Sequence, residues 1–383
     1  MSESEKIEED DLDDGNRSII MGIIAQLRKG TDLHRVTLPT FVLETRSMCE
    51  RLSDFFTYNH YLFKANDPLP PDIRMINVLK YFFSGWQTRP KGVKKPFNPI
   101  LGEFFRCTYA ESDGTQGIYV CEQVSHHPPI SAFFYGNATK GIAITGELRP
   151  RARFLGNSAA TMMEGGSVIH LKDDVISVIE PNVYARSILF GTMYMELGDQ
   201  GIITSKKHDI ACTIDFKQKG MFGGSDKDLV TGKIAKKNGE ILYKIKGKWS
   251  EKIFITDNKG KEELLFDGSK EAPPPGKTVA PESEQEEFES RRLWNKVALA
   301  VKKNDHDTAT TEKTKIEDNQ RVLVKSRTES NIEWESRFFV KNEDDEWVFA
   351  LLDQIANKPQ DPKVLHDFIF SKPTNSIHKQ FWV

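Results

Sequence analysis

Apolar residues recur along this chain with two different periods, and the change of period divides it. Within 17–28, Ile20, Ile23, Ile24 and Leu27 follow the i, i+3, i+4, i+7 spacing of one helix face. Ser18 stands where an N-cap belongs and Gly30 where the helix should stop. Ile19 and Met21 widen the apolar surface beyond one face, so this short helix needs something to cover. Two longer helices are predicted over 40–56, with Leu43, Met48, Leu52 and Phe55, and over 73–86, with Ile76, Leu79, Phe82 and Phe83. Pro68, Pro70 and Pro71 interrupt the segment between them.

From about Gly102 to Asp267 the period shortens. Runs rich in Val, Ile, Tyr, Phe and Thr occur at 117–124, 131–135, 142–148, 175–179, 184–190, 211–216 and 241–249, separated by Gly, Asn and Asp. Strands at this spacing without intervening helices predict antiparallel pairing. So many in succession predict an α+β fold built on a large, nearly closed antiparallel β-barrel, wide enough for a ligand cavity. The segment 272–276 (APPPG) ends this region, and a polar excursion over 281–289 follows. Helices are then predicted over 286–303, with Leu293, Trp294, Val297 and Val301, and over the strongly charged 311–330.

The chain has 383 residues, 38% of them hydrophobic and 28% charged, with room for a substantial core. Its formal net charge of −3 excludes a whole surface that attracts nucleic acid or anionic membrane, so any phosphate binding must come from a local basic cluster. The four cysteines, Cys49, Cys107, Cys121 and Cys212, are scattered without a CxxC pair, which points to reduced thiols and a cytosolic setting. No apolar run approaches the roughly 20 residues of a membrane-spanning helix. Residues 1–16 are dominated by Glu and Asp, which predicts a disordered acidic tail and argues against a secretory or mitochondrial signal.

Three short stretches concentrate chemistry. In 122–129 (EQVSHHPP), Pro128 and Pro129 exclude a helix and His127 is pushed towards extended backbone, so two imidazoles are stiffly held at a strand end. Adjacent side chains on extended backbone point to opposite faces, and no third ligand lies at useful spacing, so a metal site is not predicted. Arg89, Lys91, Lys94 and Lys95 surround Pro90 and Pro96; charge alone favours a solvated basic loop, but ammonium groups on a stiffened loop suit phosphate, and their occurrence together with the histidine pair reverses the preference. Lys313, Glu317 and Arg321 are spaced i, i+4, i+8, which sets an acid between two cations near one helix face. Here the acid either orients both cations towards a phosphate or belongs to an exposed ion-pair ladder. There is no G-x-S-x-G elbow and no nucleophile beside a base, so no catalytic residue is assigned, and no Walker-type loop for nucleotide is present.

EQVSHHPP, together with 94–103 (KKPFNPILGE) and 312–321 (EKTKIEDNQR), resembles the motifs of the oxysterol-binding-protein-related family of lipid carriers, in the same order and at similar spacing. The resemblance runs from about residue 17 to the C-terminus. It implies that the barrel of residues 101–270 encloses a lipid tunnel, with 17–30 as a lid, 31–100 as an N-terminal helical segment and 271–383 as a C-terminal helical subdomain of one lipid-binding domain. It implies that Lys95, Asn98, His126, His127, Lys313, Glu317 and Arg321 bind phosphatidylinositol 4-phosphate. Around 38–44 (LPTFVLE) and 153–158 (RFLGNS) the chain resembles the phosphatidylserine-transferring fungal subgroup. Ile20, Ile24, Leu27, Leu38, Asn98 and Ser158 are thereby the expected lid and second-lipid residues. The implied activity is exchange of phosphatidylserine for phosphatidylinositol 4-phosphate by a cytoplasmic monomer that touches membranes transiently at contacts of endoplasmic reticulum and plasma membrane. No cofactor other than bound lipid and no nucleic-acid partner is expected, and the protein tether stays open. Two alternatives stand beside it: a sterol/phosphatidylinositol 4-phosphate exchanger, and a phosphoinositide sensor or scaffold that moves no lipid.

Overall fold

The computed structural model describes residues 23, 27–31, 39–88, 94–188, 193–218, 227–270 and 276–372. The acidic tail, Ile20, Ile24, Leu38, Arg89 and Lys91 lie outside them. Strands β1 (Leu43–Ser47) and β2 (Lys95–Phe97) form a short parallel pair. The main sheet is built from β3 (Phe104–Ala110), β4 (Gln116–His126), β5 (Pro129–Asn137), β6 (Ile142–Phe154), β7 (Ser158–Leu171), β8 (Asp174–Ile179), β9 (Asn182–Arg186), β10 (Tyr194–Ser205), β11 (Ile210–Phe216), β12 (Leu229–Lys236), β13 (Ile241–Lys248), β14 (Lys252–Asp257) and β15 (Glu262–Asp267). Among the described residues the sheet counts thirteen strands in one antiparallel ladder running from β15 to β3. Strands β8 and β9 share one lane: β7 and β10 each pair with both, and the lane is broken at Glu180–Pro181, where proline removes a ladder donor.

Helices α1 (Met48–Leu52), α2 (His60–Ala65) and α3 (Pro71–Gly85) precede the sheet. Helices α4 (Ser290–Lys302) and α5 (His306–Glu329) follow it, then the hairpin β16 (Phe339–Lys341) and β17 (Trp347–Phe349), and α6 (Leu352–Ile355) and α7 (Pro362–Phe370). The sheet curls so that inward side chains of strands from β3 to β15 meet α1–α3 in a single apolar cluster, which includes Leu79, Phe83, Tyr119, Ile203 and Ile253. The opposite faces of β3–β6 bury Ile118, Val120, Phe134 and Ala143 against the C-terminal elements. Phe134 there stacks on Phe349 with ring centroids 3.8 Å apart. Burial on both faces explains why β4 and β5 read as nearly continuous apolar runs, whereas β11 alternates between buried and half-buried positions. The free edge of β3 is covered by bridges from Thr278 and Glu289.

The predicted helix over 40–56 is replaced by a 3-10 turn (Thr40–Val42), β1, α1 and a second 3-10 turn (Ser53–Phe56). Pairing of Leu43 and Ser47 with Lys95 and Phe97 recruits backbone that local periodicity assigned to a helix. Ser47 then caps α1 by accepting from the Cys49 N–H. Helix α4 starts at Ser290 rather than 286, and Glu289 just before it is held by Arg106 at 3.0 Å. Helix α5 starts at His306 rather than 311 because Asp305 caps it. Strands β3, β7, β10, β12, β14 and β15 were not predicted from the runs above; β7 contains Met162-Met-Glu-Gly-Gly166, whose composition carries no strand signal.

Candidate functional site

The site is built where the three chemical stretches meet. Strand β2 is anchored by Phe97, which is buried and stacks on Trp294 of α4 at 4.8 Å. Lys95, two residues earlier, is half-buried, and its Nζ donates at 2.6 Å to Oδ1 of the exposed Asn98 just after the strand. After Asn98 the chain turns through Gly102, whose φ of +82° favours glycine, and runs back along β4. The Gly102 N–H donates to the Gln123 carbonyl at 2.9 Å, and the Gln123 N–H to the Glu103 carbonyl at 2.8 Å. The KKPFNPILGE and EQVSHHPP stretches are thus laced together backbone to backbone. Their register places the Pro99 carbonyl 3.2 Å from His126 Nδ1.

Two buried carboxylates hold this junction, and sequence reasoning assigned neither a role. Glu103 accepts from Ser290 Oγ at 2.7 Å, Trp294 Nε1 at 2.8 Å and the Ile100 N–H at 3.2 Å. Glu122 accepts from Ser336 Oγ at 2.7 Å and from the Arg337 and Phe338 N–H groups at 3.0 Å each. Burial pushes both acids above the usual carboxylate range, and these hydrogen bonds pull them back. Their acid character inside otherwise apolar runs was the available signal, because a buried acid needs partners.

His126 ends β4 and His127 lies in the turn before Pro129 opens β5. The rings do not point to opposite faces. They pack edge to face with centroids 4.6 Å apart, because His127 has left the strand for the turn. Helix α5 closes the site. Buried Ala309 and Gln320 set its inward face, and Gln320 accepts from the Leu101 N–H at 3.1 Å. On the same helix Lys313 pairs with Glu317 at 2.5 Å. Glu317 therefore orients one cation, while the exposed Arg321 pairs with Asp318 one turn back. Among the described residues no group of His, Cys, Asp and Glu is arranged to hold a metal ion.

The electrostatics favour an incoming anion. Burial and the neighbouring Lys313 push the Lys95 ammonium down to about 8, although Glu317 opposes this. Burial and His127 lower His126, whereas the Pro99 carbonyl and Glu317 raise it. A phosphate placed here would restore both cations by supplying the charge that the protein lacks. The contribution of Lys95 to affinity for a phosphate ligand should therefore be fully developed below pH 8 and fall as pH rises through it, by up to ~10-fold per pH unit while the bound-state pKa lies higher. Titration of a short-chain phosphoinositide between pH 7 and 9 checks this. Lys95→Arg, which stays charged, should flatten the profile, and an equally steep decline in that variant would exclude Lys95 as the titrating group.

Lys95, Asn98, His126, His127, Lys313, Glu317 and Arg321 are thus brought to one junction of β2, the β4–β5 turn and α5. Ser158 opens β7, with Oγ 3.4 Å from Arg186 Nη1. Leu27 is half-buried, and the chain just after it is tied to the end of β6 by Gly30 N–H to Phe154 O (2.7 Å) and Phe154 N–H to Thr31 O (3.0 Å). A largely apolar cavity opens between α3 and β5–β8, lined by Tyr81, Phe82, Phe133, Leu148, Met163 and Glu180 among others. It leaves about 70 Å³ that the centre of a water-sized sphere can reach.

The family model described as "Oxysterol-binding protein" matches residues 22–304 and 298–358. Oxysterol-binding protein-like protein OBPa of Candida albicans is 43% identical over 369 residues, which cover 94% of this chain and 85% of the relative. The crystal structure of the Osh1 ORD domain in complex with cholesterol is similar with a TM-score of 0.71 at 23% identity, over 88% of this chain and 89% of that one. The Osh3 ORD of Saccharomyces cerevisiae in complex with PI(4)P gives 0.63 at 20% identity, over 95% and 93%. At these identities the two crystal structures speak to the fold.

Proposed function

The chain belongs to the oxysterol-binding protein family, whose members bind lipid and are not enzymes, and we propose that it extracts phosphatidylserine and exchanges it for phosphatidylinositol 4-phosphate between membranes. The observation that carries this reading is the convergence of Lys95, Asn98, His126, His127, Lys313, Glu317 and Arg321 on one junction of the fold. Point-charge donors and imidazoles on stiff backbone suit a phosphomonoester headgroup. Each methylene exposed to water costs about 0.8 kcal/mol, so an acyl chain needs cover to cross between membranes. The apolar interior supplies that cover, with 17–30 acting as the lid over the barrel of 101–270.

Phosphatidylserine as the second cargo rests on the resemblance of 38–44 and 153–158, with Leu38 near the lid and Asn98 and Ser158 as hydrogen-bonding groups for the serine. Competition of two lipids for one interior couples their fluxes, so a phosphoinositide gradient drives transport by a monomer at contacts of endoplasmic reticulum and plasma membrane. Sterol as second cargo is the other reading, favoured by the cholesterol complex of a protein with the same fold. Among the described residues no helix is long and apolar enough to cross a membrane.

Mass spectrometry of copurifying lipids, followed by transfer assays between donor and acceptor vesicles, tests the proposal. Phosphatidylserine should be recovered, and its transfer should accelerate when acceptor vesicles carry phosphatidylinositol 4-phosphate. Recovery of sterol alone overturns the cargo, and binding without transfer overturns exchange in favour of a sensor or scaffold.

A further inference from the structure

The break in the lane between β7 and β10 turns one acid into the cavity. Glu180 sits between β8 and β9, just before Pro181, and lines the cavity with Tyr81, Gly85, Ser167 and Val178. Opposite the break, β7 carries Gly165 and Gly166 at φ +107° and +150°, where an added Cβ would strike the Glu147 and Val178 carbonyls at 2.1 and 2.6 Å. The local irregularity is therefore built into both strands of the pair. Glu180 Oε2 is sealed from solvent and has no hydrogen-bond partner among the described residues, and the indole N–H of Trp86, after α3, is in the same condition. The indole N–H is directed at the Glu180 carboxylate and opposes the rise that burial causes there, but the contact falls short of a well-formed hydrogen bond. Two unsatisfied polar atoms beside an apolar hollow are costly unless something else completes them.

We propose that Glu180, with Trp86 beside it, is a specificity-determining residue that hydrogen-bonds an uncharged oxygen, a hydroxyl or an ester carbonyl, in the buried portion of the lipid. The inference rests on the reading of this chain as a lipid carrier. Burial pushes the Glu180 carboxyl up to about 8, so near pH 7 it is a donor as well as an acceptor. The other titratable groups around the cavity do not neutralise it. Tyr81 is held protonated by burial, and Glu147 is engaged by Arg149 at 2.5 Å. A ligand without oxygen at this point leaves both donors unsatisfied, the condition under which a site discriminates most strongly.

Extraction from phosphatidylcholine vesicles by the full chain tests this with two pairs of lipids: ester- against ether-linked phosphatidylserine, and a sterol against its 3-deoxy analogue. The oxygenated member of one pair should be extracted at least ~10-fold better at pH 7, and the pair that discriminates identifies the source of the oxygen. Glu180→Leu should abolish the difference. Glu180→Gln should keep it both at pH 7 and at pH 9. The unsubstituted protein should lose most of it at pH 9 if the ester pair discriminates, because the ionised carboxylate no longer donates to a carbonyl, and should keep it if the sterol pair does, because the hydroxyl then donates to the carboxylate. Equal discrimination by Glu180→Leu, no discrimination within either pair, an ester preference that the unsubstituted protein keeps undiminished at pH 9, or a sterol preference that it loses there overturns the inference alone. Extraction of none of the four lipids overturns the carrier reading and this inference with it.

Discussion

Substitution of both His126 and His127 by alanine should lower phosphatidylinositol 4-phosphate extraction by ~100-fold or more, with little change in melting temperature. Each ring would donate an N–H hydrogen bond to phosphate, charge-assisted by the phosphate itself, and two such bonds correspond to about 3 kcal/mol or more. The free protein holds His126 below its ordinary value, so ligand binding at neutral pH is coupled to proton uptake there. The sign follows: the contribution of His126 strengthens as pH falls and weakens as pH rises through the bound-state pKa. The structural cost of the substitution is small. His127 is exposed in a turn, and the ring bond identified for His126 is that to the Pro99 carbonyl. Extraction of the second lipid should fall far less than that of the phosphoinositide. An equal loss of both would make the histidines a folding element rather than a headgroup reader.

The acid four residues before His126 should behave in the opposite way. Glu122→Ala should cost about 3–5 kcal/mol of stability, because it strands the buried Phe338 N–H and its Arg337 neighbour and removes the acceptor of Ser336. Glu122→Gln keeps one carbonyl oxygen as acceptor but turns an amide N–H towards donors, so it should fall between the two. Urea unfolding gives the magnitude, and amide exchange at 336–339 should show where protection is lost. A Glu122→Ala protein of unchanged stability that no longer binds phosphoinositide would assign Glu122 to the ligand. One octapeptide therefore contains two kinds of residue: Glu122 and Gln123 fasten the strand to its surroundings, and His126 and His127 face outwards from its end.

This division was invisible in the string EQVSHHPP, because sequence adjacency says nothing about which side chain has a partner. The same holds for Glu317, which spacing set between two cations but which the fold gives to Lys313, with Asp318 taking Arg321. The helix over 73–86 was legible because its apolar spacing and Pro71 agree with its final environment. The segment over 40–56 was not, because β1 exists only by pairing with β2, roughly fifty residues later in the chain. Glu180 was illegible for a related reason: it follows a regular strand, and only the interruption of a lane whose neighbours continue turns it inward.

By itself the sequence determined the local matters: two apolar periods, the stiffness around the histidines, the charges on α5, and three motifs whose residue types suit an anion. These depend on neighbours within a turn or a strand, where backbone geometry and side-chain chemistry suffice. Tertiary structure decided which of those residues share a site, which acids are fastened and which is left open to the cavity, and which strand runs are buried on both faces. Such outcomes depend on contacts between segments far apart in the chain. Burial and the presence of a partner, rather than residue type, then set the protonation state and the hydrogen-bonding capacity of each group.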